Sequence, residues 1–218
     1  MRQIDTVVFD IGETLMNEDR SWSDWAHWVG VSPPVFFAAL GATIARREDQ
    51  RRTFEILVPG FDFEGQRAAK QASGRGWRLT ADDLYPDAAG CLDALRSLGI
   101  GIGIAGNQPA GVEDVVAGLG LPVDFVVSSE RLGVAKPAPA FFERVVLEAE
   151  RPASSIAYVG DRLDNDVLPA LAAGMTSIFI RRGPWGYVHA TWPEVELAHA
   201  RVDSLGEVVS AVEQIRGT

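Results

Sequence analysis

The sequence predicts an α/β protein, a doubly wound and mainly parallel sheet carrying a small α-helical cap domain. Three observations predict it. From about residue 85 onward, short apolar, β-branched runs alternate with stretches of helical periodicity. The first apolar run, near the start of the chain, stops at a carboxylate, and a later one ends at Gly-Asp. Between that first run and the alternating part lies a helical stretch without a convincing strand. The domain reading follows: 1–16 and 85–218 form the α/β core, and 17–84 form the α-helical cap.

Taken in order, Thr6-Val7-Val8-Phe9 is a buried strand ending at Asp10, and Ile11-Gly12-Glu13-Thr14-Leu15 is a tight loop. Trp22, Trp25 and Val29 recur at helical spacing, and Pro33-Pro34 opens a second helix through Phe37, Leu40 and Ile44. Trp22, Trp25 and Trp28 are expected to build the insertion's own core. Arg46, Arg47, Arg51 and Arg52, interleaved with acids, read as a solvated face. Asp87 is placed to cap a helix whose Ala88, Cys91, Leu92, Leu95 and Leu98 share one face, with Gly99 ending it. Ile100, Ile102 and Ile104 form a strand ending at Gly106-Asn107, its glycines letting a helix pack closely on the sheet. Helix 112–119, strand 125–127, helix 141–150, strand 156–159, helix 166–173, strand 176–180 and helix 205–215 complete the pattern. The run from Gly101 to Gly106 also spells a dinucleotide fingerprint, with Asp124 downstream. Its glycines fall inside a strand rather than after one, so nicotinamide binding is rejected.

Composition narrows the function. The chain has 218 residues and a net charge of −10, which argues against a nucleic-acid partner. A single cysteine, Cys91, excludes an intramolecular disulfide and a thiolate zinc site. His27, His189 and His199 are too scattered for an imidazole metal cluster. No run approaches a membrane span and no secretory signal is visible, so a cytoplasmic protein without membrane contact is expected. Of 20 cationic residues only Lys70 and Lys136 are lysine. A chain so biased to arginine can keep a lysine where a compact point charge is needed.

Two strands end in acid, Asp10 after the first and Asp161, with Asp164 and Asp166, after the fourth. Carboxylates converging at one sheet edge repel one another unless a cation lies between them, and an all-oxygen site suits Mg²⁺. A turn with a helix N-cap is the competing reading of Asp161, Asp164 and Asp166. Lys136 precedes Pro137, which holds it extended and outside the next helix. From there its ammonium can reach a carboxylate or a phosphate; the alternative is a solvated side chain.

Together these motifs resemble those of the haloacid dehalogenase-like hydrolases. Val7-Val8-Phe9-Asp10-Ile11-Gly12-Glu13-Thr14-Leu15 resembles the first motif, Ile104-Ala105-Gly106-Asn107 the second, Lys136-Pro137 the third and Gly160-Asp161 with Asp166 the fourth. The resemblance implies a phosphoryl-transfer site with Asp10 as nucleophile and Lys136 offsetting its charge. It also implies phosphate held at Gly106, Asn107 and Lys136. Mg²⁺ would be bound by Asp10, Asp161 and the Gly12 carbonyl, with Asp166 in support. The implied partner is a small phosphorylated metabolite, selected by the cap; Arg67, Lys70, Arg75 and Arg78 are the candidate contacts. Two departures stand out. Gly12 replaces the acid-base Asp, and Gly106 replaces the hydroxyl residue of the second motif. Glu13, one residue on, is not read as a substitute. The alternatives are a catalytically impaired relative that binds a phospho-ligand or a protein, and a 2-haloacid dehalogenase.

Overall fold

The computed structural model describes residues 3–217, which divide into two compact units: residues up to Asn17 with those from Thr80 onward, and Glu18–Leu79. Residues 80–84 thus pack with the α/β unit rather than with the helical one.

In the α/β unit, β1 (Thr6–Phe9) is fully buried, as expected of a β-branched run covered on both faces. The helical unit follows, with α1 (Asp19–Trp28), α2 (Pro33–Ala45), α3 (Arg51–Leu57) and α4 (Phe63–Ala72). The α/β unit resumes with α5 (Ala88–Ser97), β2 (Gly101–Gly106), α6 (Val112–Gly118), β3 (Phe125–Ser128), α7 (Ser129–Leu132) and α8 (Pro139–Ala149). It continues through β4 (Ile156–Gly160), a π-turn (Leu163–Val167), α9 (Leu168–Ala172), β5 (Thr176–Ile180), α10 (Gly183–His189), β6 (Ala200–Val202) and α11 (Leu205–Gly217). All six strands are parallel in the order β3-β2-β1-β4-β5-β6. The order reverses direction at β1, and parallel sheets open a crevice at the carboxyl ends of the strands where this happens. Asp10, Asn107 and Asp161 directly follow β1, β2 and β4, the three strands around that point.

One face of the sheet packs Val8, Ala105 and Tyr158 against Phe141, Phe142 and Val145 of α8 and Ala170 of α9. Elsewhere in this unit α5 packs on α11. In the helical unit Trp22 and Trp25 join an aromatic cluster, whereas Trp28 donates its indole N–H to Gln66 at 2.9 Å and lies under the Arg75 guanidinium. Trp25 meets Phe54 and Phe63 at ring-centroid distances of 5.0 and 5.4 Å, and Trp22 stacks on Phe36.

Three local expectations are corrected. Asp87 stands before α5 but does not cap it; its carboxylate accepts the Leu205 N–H of α11 at 2.9 Å and pairs with Arg182. The space left by Gly103 is filled by the ring of Phe125 on the neighbouring strand, not by a helix. The segment after β4 begins as a π-turn at Leu163 rather than as a helix at Asp166. Asp124, the acid of the apparent dinucleotide fingerprint, accepts the Ile102 N–H at 2.7 Å and pairs with Arg96.

Candidate active site

The site begins with the ladder that ends β1. The Asp10 N–H donates to the Val159 carbonyl at 2.9 Å, so the backbone of Asp10 stays registered on β4 while its side chain emerges at the strand end. Asp10 as a whole is 7% exposed. Two glycines make room for carboxylates here. A Cβ on Gly106 would lie 2.7 Å from Asp10 Oδ1, and one on Gly160 would collide with the carboxyl carbon of Asp166.

Lys136 ties the strands together. Its Nζ donates to Asp10 Oδ1 at 2.7 Å and to Asp166 Oδ1 at 2.6 Å, with the side chain almost fully buried. The backbone of Lys136 is clamped by Asn107. The Lys136 N–H donates to Asn107 Oδ1 at 2.8 Å, and Asn107 Nδ2 donates to the Lys136 carbonyl at 2.9 Å. The amide side chain of Asn107 therefore fixes the lysine loop. Asp166 Oδ2 accepts the Arg162 N–H at 3.1 Å, which closes the π-turn on itself.

Asp10, Asp161 and Asp166 each offer an oxygen, and these atoms lie within 4.8 Å of one another. One ammonium bonds two of the three carboxylates. Oδ2 of Asp161 is buried without a hydrogen-bond partner among the described residues. A buried, unpaired carboxylate oxygen is costly, and a hard cation is the partner that an all-oxygen donor set fits. The electrostatics agree. Burial, reinforced by Asp166, Asp10 and Glu13, pushes the Asp161 carboxyl well above the ordinary range. Burial raises Asp166 to about 6 against the pull of Lys136. Burial lowers the Lys136 ammonium, but the charges of Asp10 and Asp166 outweigh it and leave the lysine well above its usual value. Asp164 is not part of the cluster; it is half-exposed and pairs with Arg162.

The loop after β1 is braced separately. Glu13 has φ of 53°, and its Oε2 accepts the Tyr85 hydroxyl at 2.6 Å while its carboxylate packs against Gly183. Arg182 lies 4.2 Å over the Tyr85 ring, donates to the Thr14 carbonyl at 3.2 Å and pairs with Asp87. Sequence reasoning missed the Asn107 clamp and this brace. Each rests on contacts between residues distant in sequence, a pattern that no periodicity or spacing announces.

A family model of a haloacid dehalogenase-like hydrolase matches residues 4–174. The chain belongs to the haloacid dehalogenase-like hydrolases. Among curated members of this family, it is 30% identical over 173 residues to haloacid dehalogenase-like hydrolase domain-containing protein 3 of Bos taurus. That match covers 75% of this chain and 68% of that protein. It is 36% identical over 104 residues to the glyceraldehyde 3-phosphate phosphatase of Methanopyrus kandleri, covering 46% of this chain and 45% of that protein. The chain spans about half the length of several curated relatives it matches. A putative haloacid dehalogenase-like hydrolase from Bacteroides fragilis shares the fold, with a TM-score of 0.67 at 20% identity over 94% of this chain and 100% of that one. Among the described residues no single helix is long and apolar enough to cross a membrane.

Proposed function

We propose that this hydrolase is a Mg²⁺-dependent phosphatase acting on a small phosphorylated metabolite through an aspartyl-phosphate on Asp10. The observation that carries this reading is Lys136 bonded to both Asp10 and Asp166 beside the unpaired Asp161 oxygen. By fixing Oδ1 of Asp10, Lys136 sets the rotation of the carboxylate and leaves Oδ2 to attack phosphorus. An O–P bond forms to Asp10 as the bond to the substrate's oxygen breaks, and water then releases phosphate and restores the carboxylate. Asp10, Asp161 and the Gly12 carbonyl would hold Mg²⁺, with Asp166 in support. When bound, the ion neutralises charge on the phosphoryl oxygens. Backbone N–H groups at Gly106 and Asn107 are the further phosphate donors, and the helical unit is the source of substrate selection. The relative named as a glyceraldehyde 3-phosphate phosphatase supports a small phosphorylated substrate.

Gly12 brings no carboxyl group to protonate a leaving oxygen, and the Glu13 carboxylate is engaged by Tyr85. General acid-base catalysis is typically worth about 10²–10⁴-fold. An aryl phosphate, whose phenolate leaves without protonation, is therefore expected to be hydrolysed faster than alkyl phosphates. Phosphate release with and without Mg²⁺, for the parent and Asp10→Asn, tests the reading. Mg²⁺-dependent release lost in Asp10→Asn is expected. Release that survives the substitution or ignores Mg²⁺ overturns it.

A further inference from the structure

His189 stands apart from the carboxylate cluster and has no part in the chemistry proposed above. It is the last residue of α10 and is 1% exposed. Its Nδ1 accepts a hydrogen bond of 3.0 Å from the backbone N–H of Leu163, 26 residues earlier. Leu163 opens the π-turn that carries Asp166, and it lies two residues after Asp161. Backbone N–H groups at the start of a helical segment find no acceptor within that segment. Arg162, in the capping position, supplies none from its side chain. Its guanidinium is held by Asp164 and lies 4.8 Å over the Trp185 ring. The cap comes from α10 instead.

The imidazole is held in place for this task. The Trp192 ring lies 4.1 Å from it, centroid to centroid, and the Trp192 N–H donates to the His189 carbonyl at 2.9 Å. An imidazole that accepts at Nδ1 carries its proton on Nε2. On the other side of the bond, Leu163 and Val167 pack with Phe179 and Val195, so the turn is anchored by apolar contacts as well. The far end of the turn is fixed by the two bonds of Asp166, to Lys136 and to the Arg162 N–H. Its near end, next to Asp161, is fixed by His189.

We propose that His189 is a positioning residue for Asp161 and Asp166: by accepting the Leu163 N–H it sets the turn that aims both carboxylates at one point. The inference rests on reading that point as the cation site. Without the acceptor a buried N–H is left unpaired, and the turn relaxes to find another partner. Groups that orient metal ligands from outside commonly affect metal affinity about 10–100-fold.

Three substitutions in the full-length protein test this. Asn offers its Oδ1 where the imidazole offers Nδ1; Gln reaches toward the Nε2 position instead; Leu offers no acceptor. Calorimetric titration with Mg²⁺ alone is expected to show binding about tenfold weaker in His189→Leu and His189→Gln, recovering in His189→Asn. Hydrogen exchange read without metal is expected to be faster across Leu163–Val167 in the Leu and Gln variants and restored in the Asn variant. A folded His189→Leu protein that binds Mg²⁺ like the parent, or an Asn variant as impaired as the Gln variant, overturns the proposal. If His189→Leu does not fold, the Gln and Asn pair decides. If the parent itself takes up no Mg²⁺, the cation reading fails separately, and exchange alone decides for His189: unchanged protection of the turn overturns it, and faster exchange confined to the turn supports it.

Discussion

The chain has two lysines, one in each unit, and both are 5% exposed. Lys136 is bonded to two carboxylates, whose charge outweighs burial and raises its pKa well above the ordinary value. Lys70 donates to the Arg75 carbonyl at 2.5 Å and lies 5.4 Å over the Trp25 ring. There burial dominates, Arg75 and Arg78 add to it, and the pKa is lowered although Asp24 opposes. Two lysines with equally little exposed surface thus end with opposite shifts, set by their partners. A carboxylate pair turns a buried ammonium into a fixed charge, whereas a carbonyl and an aromatic face make it a packing element with a polar tip.

The sharpest way to break this contrast is to remove the charge at the carboxylates. Lys136→Met keeps most of the side-chain volume but leaves Asp10 and Asp166 without their cation. Turnover is expected to fall by about 10²–10³-fold, the scale of losing one preorganised electrostatic contact. Unfolding in the absence of Mg²⁺ should also become easier by about 3 kcal/mol, as when one partner of a buried ion pair is deleted. Mg²⁺ is then expected to stabilise the variant more than the parent, because it takes over a charge that Lys136 supplied. Thermal melts with and without Mg²⁺, beside steady-state rates, check both halves. A variant that keeps its rate would remove Lys136 from the proposed chemistry.

An intermediate effect is expected from pH. Asp161 and Asp166 have raised pKa values in the folded chain, Asp166 to about 6, while unfolded aspartates titrate near about 4. From about pH 4 upward through 6, the folded, metal-free chain binds more protons than the unfolded one. Its stability therefore falls as pH rises through that window. Mg²⁺ requires the ionised carboxylates, so the stabilisation it confers should grow from pH 5 to pH 8. The rise in melting temperature on adding Mg²⁺, measured at both pH values, gives the sign. An equal rise at both would mean that the ion binds elsewhere.

The difference between the two lysines also marks how far the sequence could be read. Asp10 and Asp161 were legible because each follows an apolar run, and parallel topology brings such ends to one edge; Lys136 stood out as one of two lysines, held before Pro137, and Asp166 through its place in the fourth motif. The structure brings all four together. Lys70 was grouped with Arg67, Arg75 and Arg78 as a candidate anion contact. Its inward turn depends on the Trp25 ring and the Arg75 carbonyl, which spacing alone does not bring together. The same reason hid the Asn107 clamp and the true partners of Asp87. Strand β6 escaped notice because only Val202 of its three residues is buried. Helix α10 did so because Gly-Pro-Trp-Gly offers no helical apolar period.

The smallest effect belongs to Lys70. Lys70→Met keeps most of the side-chain length and removes the ammonium, with its place over the Trp25 ring and its bond to the Arg75 carbonyl. Lost are one hydrogen bond and a cation–π contact; removed with them is the cost of holding a charge where burial disfavours it. The net change is expected to be a destabilisation of about 1 kcal/mol, the scale of one intramolecular hydrogen bond, with turnover and Mg²⁺ affinity unchanged. Chemical denaturation of parent and variant measures the first, and rates on the best phosphorylated substrate measure the second. A fall in kcat/KM without loss of stability would return Lys70 to the substrate side and erase the distinction between the two buried amines.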